Sequence, residues 1–230
     1  MNKLNILVVM CAGAVFITSS VTTAAPVAYI DHASFIADLP GNSINLDFDN
    51  FTAPVTVNSG DTIGSITFTY NFNGLNMVIT DGAQFNGGGP FDTISGSNFL
   101  GTEDADMFLD DDDFSMSFNA VNAIGMYFVT AEEPGVSIFD GDIQLTFGNT
   151  TALLDVGAVQ TTLGDGSLVF FLGLIDTSNA FTTASISTPN SSGAFLYNID
   201  DITTAVVPVP AAVWLFCSGL LGLVAFSRTS

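Results

Sequence analysis

From residue 26 to residue 203 the chain alternates apolar and polar side chains in one short segment after another, the period-two signature of strands with one buried face. Residues 44–49 put Ile44, Leu46 and Phe48 on one side and Asn45, Asp47 and Asp49 on the other. Residues 65–72 repeat the pattern with Ile66, Phe68, Tyr70 and Phe72, and residues 114–118 with Phe114, Met116 and Phe118. Further strands are predicted over 75–80, 123–130, 142–147, 150–156, 181–187 and 194–202. Residues 167–175 are apolar almost without interruption, as in a strand covered on both faces. Asn73-Gly74 reads as a type I′ hairpin turn, and Gly148-Asn149 as a second tight turn. Asp140-Gly141-Asp142 and Gly164-Asp165-Gly166 read as turns with local Asp hydrogen bonds. Gly87-Gly88-Gly89-Pro90 and Ser191-Ser192-Gly193 read as loops. The glycine run is followed by no Lys and opens no helix, so it is not a phosphate cradle. No segment of this body shows a 3.6-residue stripe. The expectation is an all-β, antiparallel two-sheet (jelly-roll-like) β-sandwich whose 18 Phe residues supply much of the core.

Both ends break the alternation. Near the start, Lys3 precedes an apolar run over residues 4–17, and Thr22-Thr23-Ala24-Ala25 offers small side chains, so residues 1–25 read as a signal peptide cleaved by signal peptidase. Cys11 follows Met10, which is too large for the position before a lipidated cysteine. Residues 203–207 read as a linker into a tail over 204–230. Within the tail, residues 211–226 are uncharged and apolar all round. As a helix they would span roughly 24 Å, adequate with their flanks for a bilayer core of about 30 Å. Trp214 stands at one end, where an indole favours the interface.

Val207-Pro208-Val209-Pro210-Ala211 leads directly into Ala212-Val213-Trp214-Leu215-Phe216, followed by Ser218-Gly219-Leu220-Leu221-Gly222-Leu223. This stretch resembles the PEP-CTERM sorting tail in its Val-Pro-x-Pro-Ala form. The resemblance implies export from a Gram-negative cell, transit through the inner membrane, and processing by an exosortase near Pro208 and Pro210. Delivery to the cell surface or the extracellular matrix would follow. Two positions depart from the pattern. Cys217 stands where a small residue is usual, and the closing basic cluster is reduced to Arg228. More weakly, Leu46-Asp47-Phe48-Asp49, Gly125-Met126-Tyr127-Phe128 and Tyr197-Asn198-Ile199-Asp200-Asp201-Ile202 resemble jelly-roll domains, including carbohydrate-binding modules.

Charge sharpens the picture. The chain has 23 acidic residues and 2 basic ones, a net charge of −21. Both basic residues, Lys3 and Arg228, lie in the apolar ends, and every acid lies between Asp31 and Asp201. A body without Lys or Arg cannot displace counterions from phosphates, which excludes nucleic acid as a partner. Each carboxylate must be solvated, hydrogen-bonded or matched by a metal ion. Both cysteines, Cys11 and Cys217, also lie in the ends, so the body has no disulfide, cysteine nucleophile or zinc thiolate. His32 is the sole histidine, which argues against a Ser-His-Asp triad or a multi-histidine metal site.

The acids are the only candidate chemistry. If the first and last strands are neighbours, Asp47 and Asp49 approach Asp200 and Asp201. The jelly-roll resemblance at Ile199-Asp200 then implies a structural Ca²⁺, an ion that prefers six to eight oxygens. A second acidic loop runs through Glu103, Asp104 and Asp106 to Asp110, Asp111, Asp112 and Asp113 without EF-hand spacing. Its candidate ligands are Asp104, Asp106, Asp110 and Asp112, and its plainer reading is a solvated loop. Glu132-Glu133-Pro134-Gly135 reads as a turn rather than part of a glycosidase pair. The sequence therefore predicts a non-catalytic exported protein associated with biofilm or exopolysaccharide. The alternative is a carbohydrate-binding module that stacks sugars on Tyr29, Tyr70, Tyr127 or Tyr197.

Overall fold

β-Branched and aromatic residues at every second position, punctuated by Gly, Asn and Asp, produce strands almost throughout the computed structural model. It describes residues 25–39, 42–82, 92–130, 137–189 and 195–206. In chain order these form β1 (Val27–Tyr29), α1 (His32–Asp38), β2 (Ser43–Leu46), β3 (Val55–Val57), β4 (Thr62–Ile63), β5 (Ile66–Tyr70), β6 (Met77–Thr80), β7 (Phe99–Thr102) and β8 (Phe108–Leu109). They continue with β9 (Phe114–Val121), β10 (Ala123–Thr130), β11 (Gln144–Phe147), β12 (Thr150–Leu153), β13 (Thr161–Thr162), β14 (Leu168–Ile175), β15 (Phe181–Ser187) and β16 (Leu196–Ala205).

The strands form two antiparallel sheets. The larger runs β1-β14-β10-β16-β7-β6-β3, with β13 on β14 and both β2 and β8 on β16. The smaller runs β12-β11-β15-β9-β5-β4. One core lies between them, drawing Phe68, Phe114 and Phe147 from the smaller sheet and Phe108, Phe128, Phe170 and Tyr197 from the larger. Phe108 stacks on Phe114 with ring centroids 5.2 Å apart and on Tyr197 at the same distance, so one ring joins both sheets.

The apolar run over 167–175 becomes β14, buried along nearly its whole length. The reason is a layer on the larger sheet's outer face, which the alternation did not predict. There α1 presses Phe35 onto Phe171, ring centroids 5.1 Å apart. Gly125 and Gly173, paired across β10 and β14, form the floor beneath these rings. A Cβ on Gly173 would stand 2.6 Å from Phe35 and 2.8 Å from Phe171. At seven residues α1 is too short to show a helical stripe. Its readable signal is the cap, where Asp31 accepts hydrogen bonds from Ser34 N at 2.8 Å and Ser34 Oγ at 2.6 Å.

Three sequence expectations are corrected. The Asn73-Gly74 turn forms, with φ of 51° and 77° and a 2.9 Å bond from Leu75 N to Phe72 O. It does not make a hairpin, because β5 and β6 enter different sheets and the turn arches between layers. The first predicted strand ends at Leu46. Phe48 takes a φ of 59°, leaving the strand to bury its ring, so Asp47 and Asp49 lie on a turn rather than a strand face. At the other end, β16 continues through Thr203 and Thr204 to Ala205, all buried, because β2 pairs with it there. The linker expected from residue 203 is thus strand up to Ala205. By contrast, Gly148-Asn149 closes the predicted β11–β12 hairpin, with Phe147 opposite Thr150.

Candidate functional site

A β-bulge in β16 positions the most distinctive polar cluster. Gly125 pairs with Thr203 and Tyr127 with Asp200, so two steps on β10 oppose three on β16. Asp201, with a φ of 52°, is the extra residue. Bulges re-aim side chains, and this one sets consecutive carboxylates beside each other. Asp200 is fully buried, and its carboxylate accepts Ser95 N at 3.1 Å, Ser95 Oγ at 3.2 Å and Asp201 N at 2.8 Å. Burial, then the charge of Asp201, pushes the Asp200 pKa up to about 8 despite those bonds. Asp201 accepts Asn45 Nδ2 at 2.6 Å, and Asn45 Oδ1 accepts the Thr203 hydroxyl at 3.1 Å.

The expected meeting of the first and last strands therefore occurs, with Leu46 opposite Ile202. The carboxylates that meet there are occupied with N–H and O–H donors. Asp49 Oδ1 accepts Ser97 N at 2.9 Å and Asn98 N at 3.1 Å, holding the approach to β7. Asp47 Oδ1 accepts Asp49 N at 3.3 Å within its own turn. Among the described residues, no three His, Cys, Asp or Glu side chains gather as a group that could hold a metal ion. Asp47, Asp49 and Asp200 thus organise backbone, and Asp201 holds the Asn45 side chain.

The second acidic cluster is a clamp between the sheets. Asp112 is buried and lies between β8 of the larger sheet and β9 of the smaller. Its Oδ1 accepts the Tyr70 hydroxyl at 2.6 Å, its Oδ2 accepts Leu109 N at 2.6 Å, and its carbonyl accepts the Tyr197 hydroxyl at 3.1 Å. Burial raises its pKa. Asp111 N donates to Thr188 Oγ1 at 2.8 Å, and Asp113 accepts Thr188 N at 2.8 Å, tying the loop to the end of β15. Asp104 accepts the Thr102 hydroxyl at 2.8 Å, while Asp106, with a φ of 58°, is buried in the turn closed by its N–H to Thr102 O. Asp110 is half-buried, and its pKa is raised by burial and then by Asp111. Beyond these clusters, Asp165 makes the expected local bond to Ser167 N at 2.9 Å.

Two of the four tyrosines offered for sugar stacking are unavailable. Tyr70 and Tyr197 are core residues, 2 % and 0 % exposed. Tyr29 and Tyr127 are half-buried at the outer face of the larger sheet. Sequence reasoning gave His32 no neighbours. The fold sets its ring 4.9 Å from Tyr127 and 5.1 Å from Phe171, centroid to centroid. Burial lowers its pKa against the opposing pull of Asp201 and Asp31. Asp201 also heads the charges that, after burial, raise Tyr127 to about 12. No local sequence signal connects His32 with residues so distant in the chain.

The sorting motif Val207, Pro208, Val209, Pro210 and Ala211, the predicted span 211–226 and residues 1–24 of the predicted signal peptide lie outside the described residues. So do Glu132 to Gly135 and the two predicted glycine loops. Among the described residues no helix is long and apolar enough to cross a membrane. No family model, curated protein or solved structure matches the chain.

Proposed function

We propose that the chain is an exported, non-catalytic β-sandwich, carried by its terminal segments to the cell surface or the extracellular matrix and working there among exopolysaccharide. The observation that carries this reading is the division of charge. Lys3 and Arg228 stand only in the apolar ends, while the body holds 23 acids. Its buried or tethering carboxylates are taken up by backbone N–H and hydroxyl groups at Asp49, Asp112 and Asp200. Such a body needs no disulfide or salt bridge to fold, and its exposed acids hold a hydrated counterion layer. In this reading Ca²⁺ enters as a bridging counterion between exposed acids. A jelly-roll order is supported by the neighbouring of β2 and β16. The alternative, a carbohydrate-binding module, must use something other than the buried Tyr70 and Tyr197.

Fractionation of the native host with mass spectrometry of the purified chain tests the proposal. The expected result is envelope or extracellular material that has lost residues 1–25 and is shortened near Pro208. Full-length chain recovered from the cytosol would overturn it.

A further inference from the structure

In this strongly acidic chain, one whole sheet carries no charge. None of β4, β5, β9, β11, β12 and β15 contains an Asp or Glu, although the chain has 23. The inward half of each alternation is core. The outward half is almost entirely hydroxyl, and the strand register aligns those hydroxyls into ranks. Thr62, Thr67, Ser117 and Thr183 form one rank across four strands. Thr69, Ser115, Ser185, Thr146 and Thr151 form the next, across five. Neighbouring strands set the residues of a rank about 4.8 Å apart, and the ranks lie about 6.7 Å apart along the strands. All nine residues are exposed or half-buried.

Two pairs satisfy each other, Thr62 with Thr67 at 2.7 Å and Thr146 with Thr151 at 3.0 Å. Among the described residues, the hydroxyls of Thr69, Ser115, Ser117, Thr183 and Ser185 make no bond within the protein. A cleft of about 560 Å³ opens on this face, lined by residues that include Thr62, Thr67, Ser117, Asn119 and Thr183.

We propose that this face binds an uncharged polysaccharide chain lying across the strands. A hydroxyl offers one donor and two acceptors and so matches the hydroxyls of a neutral sugar. An anionic polymer is repelled, since the protein has a net charge of −21 and this face has no cation to hold it. A second copy of the chain brings the same −21 and is repelled likewise. Each hydrogen bond exchanged with water contributes little, so binding depends on a polymer meeting a whole rank at once. The inference rests on the exopolysaccharide reading only for where the polymer is met, not for the face itself.

Affinity electrophoresis of the full-length chain in non-ionic detergent tests it, with gels containing dextran, a mixed-linkage β-glucan, a galactomannan or, as the anionic control, alginate. At least one neutral gel is expected to retard the protein. Ser117→Ala/Thr183→Val should weaken that retardation about tenfold, and Ser117→Asp should abolish it. Thr161→Val, on β13 of the other sheet, should leave it unchanged, with circular dichroism confirming the fold of each variant. Absence of retardation in every neutral gel, equal retardation in alginate, or an undiminished effect in the double variant would overturn the proposal. So would a concentration-dependent dimer dissociated by the same substitutions. Failure in these gels leaves export intact, and failure of fractionation leaves the face intact.

Discussion

The Tyr70 hydroxyl, projecting from the smaller sheet, donates a 2.6 Å hydrogen bond to Asp112 in the loop that joins the two sheets. From the larger sheet, Tyr197 donates to the same residue's carbonyl at 3.1 Å. Asp112 thus ties the two layers together, through its carboxyl to Tyr70 and its backbone carbonyl to Tyr197. Tyr70→Phe removes one donor from a buried carboxyl and is expected to destabilise the fold by about 1–3 kcal/mol. Urea denaturation measures this. A loss below roughly 0.5 kcal/mol, the range of an ordinary surface substitution, would show that water replaces the bond.

Asp200 should make stability depend on pH in an unusual sense. Its folded pKa of about 8 lies above the ordinary 3.8, so the folded state holds the proton more tightly than the unfolded chain. Its contribution is complete below the unfolded value and is lost as pH rises through the folded one. The melting temperature should therefore fall between pH 5 and pH 8.5. Asp200→Asn should flatten that fall, because the amide cannot ionise. An identical slope in both proteins would assign the trend to the remaining acids.

Gly173 lies where Phe35 and Phe171 leave no space for a side chain. Gly173→Ala is expected to cost about 1–3 kcal/mol through overpacking, which for a domain of this size lowers the melting temperature by several degrees. Phe35→Ala leaves a cavity instead and should cost about 3–5 kcal/mol. If Gly173→Ala in a Phe35→Ala background costs as much again, the two sites are independent and the proposed packing is wrong.

Twenty-three acids with no internal cations repel one another. Raising NaCl from about 0.02 to about 0.5 M shortens the screening length severalfold and should raise the melting temperature. If exposed acids bind Ca²⁺ as bridging counterions, millimolar Ca²⁺ should raise it further than NaCl of equal ionic strength. Equal shifts would leave general screening as the whole effect.

Much of the fold was legible because each strand's alternation is local. Ile66, Phe68 and Tyr70 had to share a face, as did Phe114 and Met116, whatever they packed against. The functional chemistry was less legible, since a carboxylate's role depends on donors far along the chain. Asp49 serves Ser97 and Asp112 serves Tyr70, across 48 and 42 residues. The hydroxyl ranks were half visible: Thr67-Phe68-Thr69 and Ser115-Met116-Ser117 stand in the sequence. Their alignment into one surface depends on which strands are neighbours.

By itself the sequence determined ten of the sixteen described strands, the cation-free body and the two apolar ends, since side-chain period, charge and hydropathy are properties of contiguous residues; β1, β3, β4, β7, β8 and β13 are too short to show a period. The tertiary structure alone decided that Asn73-Gly74 arches between sheets, that tandem Asp200 and Asp201 sit on a bulge, and that Tyr70 is a strut rather than a platform. Each of these follows from strand pairing and layer assignment. Such long-range choices are set by how the apolar faces close over one another, which no local pattern encodes.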